Sequence, residues 1–114
     1  MKISVLIPAY NEEETIGEIV SFLNDLEYID KILVVNDGSD DSTSIIAQNA
    51  GALVLNHNKN QGKGAAVQAG FDFLSTDIIL LLDGDLVGLK EKHVKKILTP
   101  LVYENVDMSV GILM

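Results

Sequence analysis

The strongest constraint on this fold is a series of short apolar segments that lack the polar and apolar alternation of a half-exposed strand. They lie at residues 3–7, 31–35, 52–55, 78–82 and 108–113. Strands buried on both faces have this composition and are typical of parallel sheets. Between them, apolar residues recur at helical spacing over 16–26, 42–50, 67–74 and 94–102. The alternation predicts an α/β fold with a doubly wound, mostly parallel sheet and helices on both faces.

Length and composition fit a single domain over residues 1–114. With 114 residues, of which 47% are hydrophobic, the chain is large enough to bury one core. Its longest apolar runs fall well short of the roughly 20 residues of a membrane-spanning helix. The sequence has no cysteine, which excludes disulfides and thiolate metal sites and fits a reducing compartment. We therefore expect a cytoplasmic protein.

The charge of the chain limits its partners. The formal net charge is −9, with eight lysines and no arginine, so the clustered cations that bind nucleic acid are missing. An anionic ligand would have to be met locally, by a divalent cation, a helix N-terminus or a lysine such as Lys63.

Polar and acidic residues gather in the loops that come after the predicted strands, at 8–13, 36–43, 56–64 and 83–86. In a doubly wound sheet these loops meet outside the carboxyl ends of the strands, where ligands bind. The sequence therefore predicts a binding site at this edge of the sheet.

Two carboxylates come directly after the apolar segment 78–82. Asp83 and Asp85 are two residues apart, which suits a shared divalent cation, and Gly84 lets a ligand approach the backbone closely. The alternative is an Asp-Gly turn that ends the strand, with Asp85 capping the next segment of the chain. This motif alone fits both interpretations.

The loop at 36–43 combines turn and capping residues with one carboxylate of a different kind. Asp41, Ser42 or Thr43 is expected to cap the next helix. Asp37 is the first carboxylate beyond its strand, so it is placed to accept hydrogen bonds from a base, either the ring NH of uracil or the NH groups of guanine.

Four other residues carry weaker signals. Asn11 is expected to cap the first helix. Lys63, between Gly62 and Gly64, would bring a lysine and a helix N-terminus to a phosphate, or would lie in a solvated glycine loop. His57 and His93 have no ligand-like partner at useful spacing, and we expect both on the surface.

Taken together, the loops resemble those of the inverting glycosyltransferases of family 2, which have the GT-A fold. The similarity runs in order through residues 3–13, 34–43, 60–66 and 81–86. It implies a nucleotide-diphospho-sugar transferase-like fold and transfer of a hexose from a UDP- or GDP-linked sugar to an acceptor hydroxyl or phosphate, with inversion. It assigns nucleotide-sugar binding to Pro8, Ala9, Tyr10, Glu12, Asp37, Lys63, Asp83, Gly84 and Asp85. Within that set, Asp83 and Asp85 would bind Mg²⁺ or Mn²⁺.

The resemblance also suggests classes of acceptor: a polysaccharide, a lipid phosphate or a small phosphorylated acid. Val87 stands where the polyprenyl-phosphate hexose transferases commonly carry glutamine, which weakens the case for a lipid phosphate. The family's catalytic base lies beyond Met114, so we expect an amino-terminal part of a longer glycosyltransferase and name no catalytic residue. Membrane association would come through other parts of that protein.

Two expectations follow for the chain by itself. Without the family's catalytic base, it should bind donor without transferring sugar. The apolar sheet edge at the predicted strand 108–113, left uncovered, should lead either to self-association into homo-oligomers or to poor solubility.

Two rival functions can be compared with this one. A sugar nucleotidyltransferase would carry a glycine-rich basic loop after the first strand, where Pro8, Ala9 and Tyr10 stand. A nucleotide-sugar-binding or interaction module without turnover stays open, and nucleotide binding without hexose transfer would support it.

Overall fold

The computed structural model describes residues 2–94 and 109–113, with side chains for the first range. The elements are β1 (Ile3–Ala9), α1 (Ile16–Asn24), β2 (Ile29–Asp37), α2 (Thr43–Ala50), β3 (Leu53–His57), α3 (Lys63–Phe73), β4 (Ile78–Leu82) and β5 (Ser109–Leu113). Residues 91–94 are also helical. None of the helices in these ranges has the length and apolar composition of a membrane span.

The strands form one five-stranded sheet in the order β3-β2-β1-β4-β5, and every neighbouring pair is parallel. The chain steps outward from β1 to β3 and then crosses back to β4 on the other side of β1. The strand order thus reverses between β1 and β4, where the loops after these two strands diverge and leave a crevice. The predicted doubly wound, parallel sheet is confirmed.

Helices cover both faces of the sheet, as predicted. Helices α1 and α2 pack on the face that carries Val5, Ile7 and Val34. Helix α3 packs on the opposite face, against Leu6 and Leu33. Because successive residues of a strand point to opposite faces, a strand covered on both sides must be apolar throughout. This explains the missing alternation in the sequence.

The sequence predicts loops at the polar ends of two strands, and the structure corrects this. β2 continues to Asp37 and β3 to His57, and these two residues are partners in the parallel register. The predicted last strand begins at Ser109, and Met108 lies outside the described residues. The predicted helix over 94–102 also lies outside them except for Val94.

The predicted cap of α1 by Asn11 is wrong. Helix α1 begins at Ile16, after a turn in which Glu12 O accepts from the backbone NH of Thr15. Asn11 adopts a left-handed conformation with φ of 54°, and its Oδ1 accepts from the NH of Asp40 at 2.9 Å. Its side chain therefore ties two loops together.

The cap of α2 comes from the predicted set. The carboxylate of Asp41 accepts from the backbone NH of Thr43 at 3.0 Å and also from its hydroxyl. Ser42 precedes the helix but makes no side-chain capping bond.

Candidate functional site

A cleft of about 280 Å³ opens at the carboxyl edge of the sheet, beside the ends of β1, β2 and β4. It is lined by Pro8, Ala9, Tyr10, Glu12, Asp37, Asn60, Gly62, Lys63, Ala66 and Asp83. All the predicted binding residues are in this lining except Gly84 and Asp85. Asn60, Gly62 and Ala66 are additions: they lie in the segment 60–66 that carries the resemblance, but the sequence assigns binding there only to Lys63.

Gly84 and Asp85 lie directly beside the cleft. A Cβ on Gly84 would lie 3.2 Å from the carbonyl oxygen of Pro8, so the β4 turn packs closely against the end of β1. The hydroxyl of Thr15 donates to the carbonyl oxygen of Gly84 at 2.6 Å and fixes this turn to α1. The backbone NH of Asp85 donates to the Asp83 carboxylate. The acidic turn is thus anchored by its backbone.

The β1–α1 and β2–α2 loops are joined by reciprocal hydrogen bonds. The NH of Asn11 donates to Ser39 Oγ at 2.9 Å, and the NH of Glu12 donates to Thr43 Oγ1 at 2.9 Å. The carboxylate of Glu13 accepts from the NH of Ser42 at 3.0 Å. These bonds hold residues 10–12 at the rim of the cleft, where Tyr10 is 44% exposed.

Asp37 lines the cleft and is 4% exposed. Its Oδ1 accepts from His57 Nδ1 and from the NH of Gln61, both at 2.9 Å. Its Oδ2 accepts from the NH of Gly62 at 2.9 Å. Burial raises the pKa of this carboxyl, but the hydrogen bonds outweigh burial and hold its pKa below the usual value. Asp37 is therefore ionised at neutral pH.

His57 is not the surface residue that the sequence suggested. Its side chain is 13% exposed and bonds to Asp37, which stands beside it in the β2–β3 register. The signal for this contact is tertiary: both residues end neighbouring parallel strands. The other histidine, His93, is also partly buried, and its Nδ1 accepts from the NH of Lys90 at 3.1 Å.

Lys63 begins α3 directly after Gly62, whose φ of 99° turns the chain into the helix. Its Nζ lies 3.2 Å from Asp83 Oδ2, and the two side chains are 53% and 30% exposed. Burial raises the pKa of Asp83, but the hydrogen bond and charge of Lys63, with a hydrogen bond from the backbone NH of Asp85, hold it below the usual value. A lysine and a helix N-terminus therefore face the cleft together, which is the arrangement of one of the two alternatives that the sequence left open.

Glu12 sits in an excess of negative charge. Burial raises the pKa of its carboxyl, and the charges of Asp85 and Asp83 raise it further.

The oxygens of Asp83 and Asp85 are the ligand type that Mg²⁺ and Mn²⁺ prefer. The described residues contain no group of three or more acidic, histidine or cysteine side chains that would hold a metal ion. Two carboxylates would leave the other ligand positions of such a cation to phosphate oxygens and water.

Comparison with known proteins identifies relatives of the whole sheet. The sequence model of the family described as Glycosyl transferase family 2 matches residues 4–114. The chain is 37% identical over 101 residues to an undecaprenyl-phosphate 4-deoxy-4-formamido-L-arabinose transferase of Salmonella choleraesuis, covering 80% of this chain and 31% of that protein. It is 39% identical over 114 residues to an uncharacterised protein of Methanocaldococcus jannaschii, covering 96% and 46%.

Solved structures show the same similarity. Glucosyl-3-phosphoglycerate synthase of Mycobacterium tuberculosis, in complex with Mn²⁺, UDP and glucosyl-3-phosphoglycerate, superposes with a TM-score of 0.79 and 32% identity, over 88% of this chain and 39% of that one. Mannosyl-3-phosphoglycerate synthase of Rubrobacter xylanophilus gives a TM-score of 0.81 and 27% identity, over 89% and 36%. The chain spans less than half the length of each of these relatives. The structural relatives have the GT-A fold, and the described sheet is part of that fold.

Proposed function

The chain belongs to glycosyl transferase family 2, and on that premise we propose that it forms the donor-binding part of a metal-dependent glycosyltransferase. The reaction would move a hexose from a UDP- or GDP-linked sugar to an acceptor hydroxyl or phosphate, with inversion at the anomeric carbon. The observation that carries the proposal is the cleft at the strand-order reversal, where an ionised Asp37, Lys63 and the Asp83 turn converge.

The part of the cleft around Asp37 is the proposed nucleobase site. Asp37 is ionised and held by His57 and by backbone NH groups of the β3–α3 loop, so it would accept a hydrogen bond from a nucleobase without rearranging. Pro8, Ala9 and Tyr10 form the adjoining wall and would contact the nucleoside. Because the hydrogen-bonding carboxylate is already fixed in the free protein, little conformational entropy is lost when the nucleobase binds.

The part of the cleft around Lys63 and Asp83 is the proposed diphosphate site. Lys63 would donate to phosphate oxygens, helped by the partial positive charge at the N-terminus of α3. Asp83 and Asp85 would hold Mg²⁺ or Mn²⁺. When bound, the cation supplies charge stabilisation for the departing nucleoside diphosphate. The complex of the M. tuberculosis relative with Mn²⁺ and UDP supports this assignment.

For the acceptor, we propose a phosphorylated compound. The Salmonella relative is named for undecaprenyl phosphate, and the M. tuberculosis relative was solved with glucosyl-3-phosphoglycerate. These are a lipid phosphate and a small phosphorylated acid. Their shared feature is the phosphate group.

Binding of donors is tested first, by thermal unfolding with UDP-, GDP- and dTDP-sugars in the presence and absence of Mn²⁺. A donor at 100 times its dissociation constant should stabilise the folded state by about 2.7 kcal/mol, and Mn²⁺ should increase the effect. Donors that leave the unfolding transition unchanged with and without Mn²⁺ would overturn the proposal. Transfer assays with phosphorylated acceptors then separate a transferase from a module that binds donor without turnover.

A further inference from the structure

The carboxylate of Asp37 has a limited number of acceptor positions, and most are already in use. An ionised carboxylate offers about four lone-pair positions, two on each oxygen. Within the described residues, Oδ1 receives two hydrogen bonds, from His57 and Gln61, and Oδ2 receives one, from Gly62. Since the ionised carboxylate can only accept, His57 Nδ1 carries a hydrogen. One position is left for a ligand, on Oδ2.

The surrounding backbone keeps this arrangement in place. Asp37 is followed by Gly38 at φ of 75°, and a Cβ on Gly38 would lie 2.4 Å from the backbone nitrogen of Asn60. The Asp37–Gly38 turn and residues 59–62 are thus in direct backbone contact. The loop has no room to move toward the turn, and moving away would break the bonds from Gln61 and Gly62.

The nucleobases differ in how many donors they present to such a carboxylate. Uracil and thymine offer one ring NH flanked by two carbonyl groups. Guanine offers a ring NH and an adjacent amino group, and these two parallel donors pair with both oxygens of a carboxylate. In cytosine and adenine, the amino group stands beside an unprotonated ring nitrogen, which would face the carboxylate with its own lone pair.

We propose that Asp37 selects a nucleotide whose base presents a single ring NH, of the uracil or thymine class, and that His57 sets this selectivity by occupying Oδ1. The proposal rests on the proposed function of the cleft as a nucleoside-diphosphate site. Guanine would leave its amino group without an acceptor in a buried position, and an unpaired buried donor weakens binding. His57 acts through Asp37 and needs no contact with the base.

The first test varies the ligand and needs no mutation. Dissociation constants are measured by calorimetry for UDP, dTDP, IDP and GDP in the presence of Mn²⁺. We expect UDP and dTDP to bind at least about tenfold more tightly than GDP, the effect of one unmatched donor. The decisive pair is IDP and GDP, because hypoxanthine has the ring NH of guanine but lacks its amino group. IDP should bind more tightly than GDP.

The second test changes His57, whose hydrogen bond occupies Oδ1 of Asp37. The His57→Ala variant frees a position on Oδ1, so the ratio of the GDP to the UDP dissociation constant should fall about tenfold. In His57→Asn the side-chain NH₂ lies near the place of Nδ1, and the ratio should stay close to that of the unaltered protein. Gln68→Ala is the matched control, since it removes another side-chain hydrogen bond to an aspartate, that to Asp72 on the exposed side of α3.

The outcomes separate this inference from the proposed function. GDP binding as tightly as UDP, or more tightly than IDP, would overturn the selectivity while the nucleotide site stands. An unchanged ratio in a folded His57→Ala protein would overturn the role of His57. If His57→Ala does not fold, loss of selectivity in His57→Asn would overturn it, and the IDP and GDP pair still decides the rest. Failure of every nucleotide to bind would overturn both proposals.

Discussion

The ends of β2 and β4 both present carboxylates to the cleft, but their surroundings differ. At the end of β2, Asp37 is buried and accepts hydrogen bonds from groups of its own chain, which lower its pKa. At the end of β4, Asp83 and Asp85 are more exposed, and Lys63 forms an ion pair with Asp83. Glu12, beside them, has its pKa raised by burial and by both aspartates.

The difference indicates two kinds of site within one cleft. At the β2 end, three hydrogen bonds from the protein already stabilise the charge of Asp37 and leave one acceptor position, on Oδ2. The β4 end keeps an excess of negative charge that a cation would neutralise. A carboxylate held in place by hydrogen bonds suits recognition of a rigid group such as a nucleobase. Carboxylates whose negative charge is not neutralised suit a cation that binds together with the diphosphate.

The largest expected effect is that of Asp37→Ala, which removes the hydrogen-bonded carboxylate at the β2 end. The change leaves His57 and the NH groups of Gln61 and Gly62 without their acceptor, so the free energy of unfolding should fall by roughly 3 kcal/mol. In the folded fraction, uridine and UDP should lose affinity by the same factor, because the base contact is common to both. Chemical denaturation and calorimetry measure the two effects.

Asp40→Ala is the control for this variant. Asp40 carries the same charge three residues further on, and its side chain is exposed. Its removal should leave both stability and binding nearly unchanged. Loss of UDP affinity with unchanged uridine affinity in Asp37→Ala would instead assign Asp37 to the diphosphate.

The contrast between the two ends also shows what the sequence could reveal. Apolar runs without alternation predicted the strands and their order along the chain, because strands buried on both faces have this composition. Carboxylates directly after the strands predicted a binding site at the carboxyl edge of the sheet. The three hydrogen bonds to the Asp37 carboxylate could not be predicted from the sequence, since their donors lie 20 to 25 residues away and two of them are backbone NH groups. His57 was assigned to the surface for the same reason.

Asn11 shows a second limit. Its residue type favours both a helix cap and a left-handed turn. The choice was decided by the NH of Asp40 and the hydroxyl of Ser39 on a neighbouring loop, which only the folded sheet brings close.

Asp85→Ala should remove the dependence of donor binding on Mn²⁺. The variant takes away one of the two proposed metal ligands, and we expect the enhancement of UDP-sugar affinity by Mn²⁺ to be lost while binding without metal persists. Titrations with and without Mn²⁺ measure this difference. Asp72→Ala, on the exposed side of α3, controls for the loss of one negative charge. A metal dependence equal to that of the unaltered protein would refute the assignment.

Lys63→Met sharpens the comparison, because it should affect one end of the cleft only. We expect UDP to bind about tenfold more weakly, as for the loss of one hydrogen bond to a charged group, and uridine to bind as before. Lys59→Met, in the same loop and exposed, is the matched control. Equal weakening of uridine and UDP would mean that Lys63 supports the loop around Asp37 more than the diphosphate.

The smallest effect, and the one whose sign matters, is that of Glu12→Gln. Without metal, ionised Glu12 is repelled by Asp85 and Asp83, so the neutral amide should raise the free energy of unfolding by roughly 0.5 kcal/mol. The sign is opposite to that of Asp37→Ala, since a carboxyl with a raised pKa costs stability when ionised and one with a lowered pKa contributes it. With Mn²⁺ the effect should reverse, because Glu12 then adds attraction for the cation, and the affinity for Mn²⁺ should fall a few-fold. Glu14→Gln, nearby and exposed, removes the same charge without these neighbours. A Glu12→Gln protein that is less stable than the parent in the absence of metal would contradict the excess of negative charge at the β4 end.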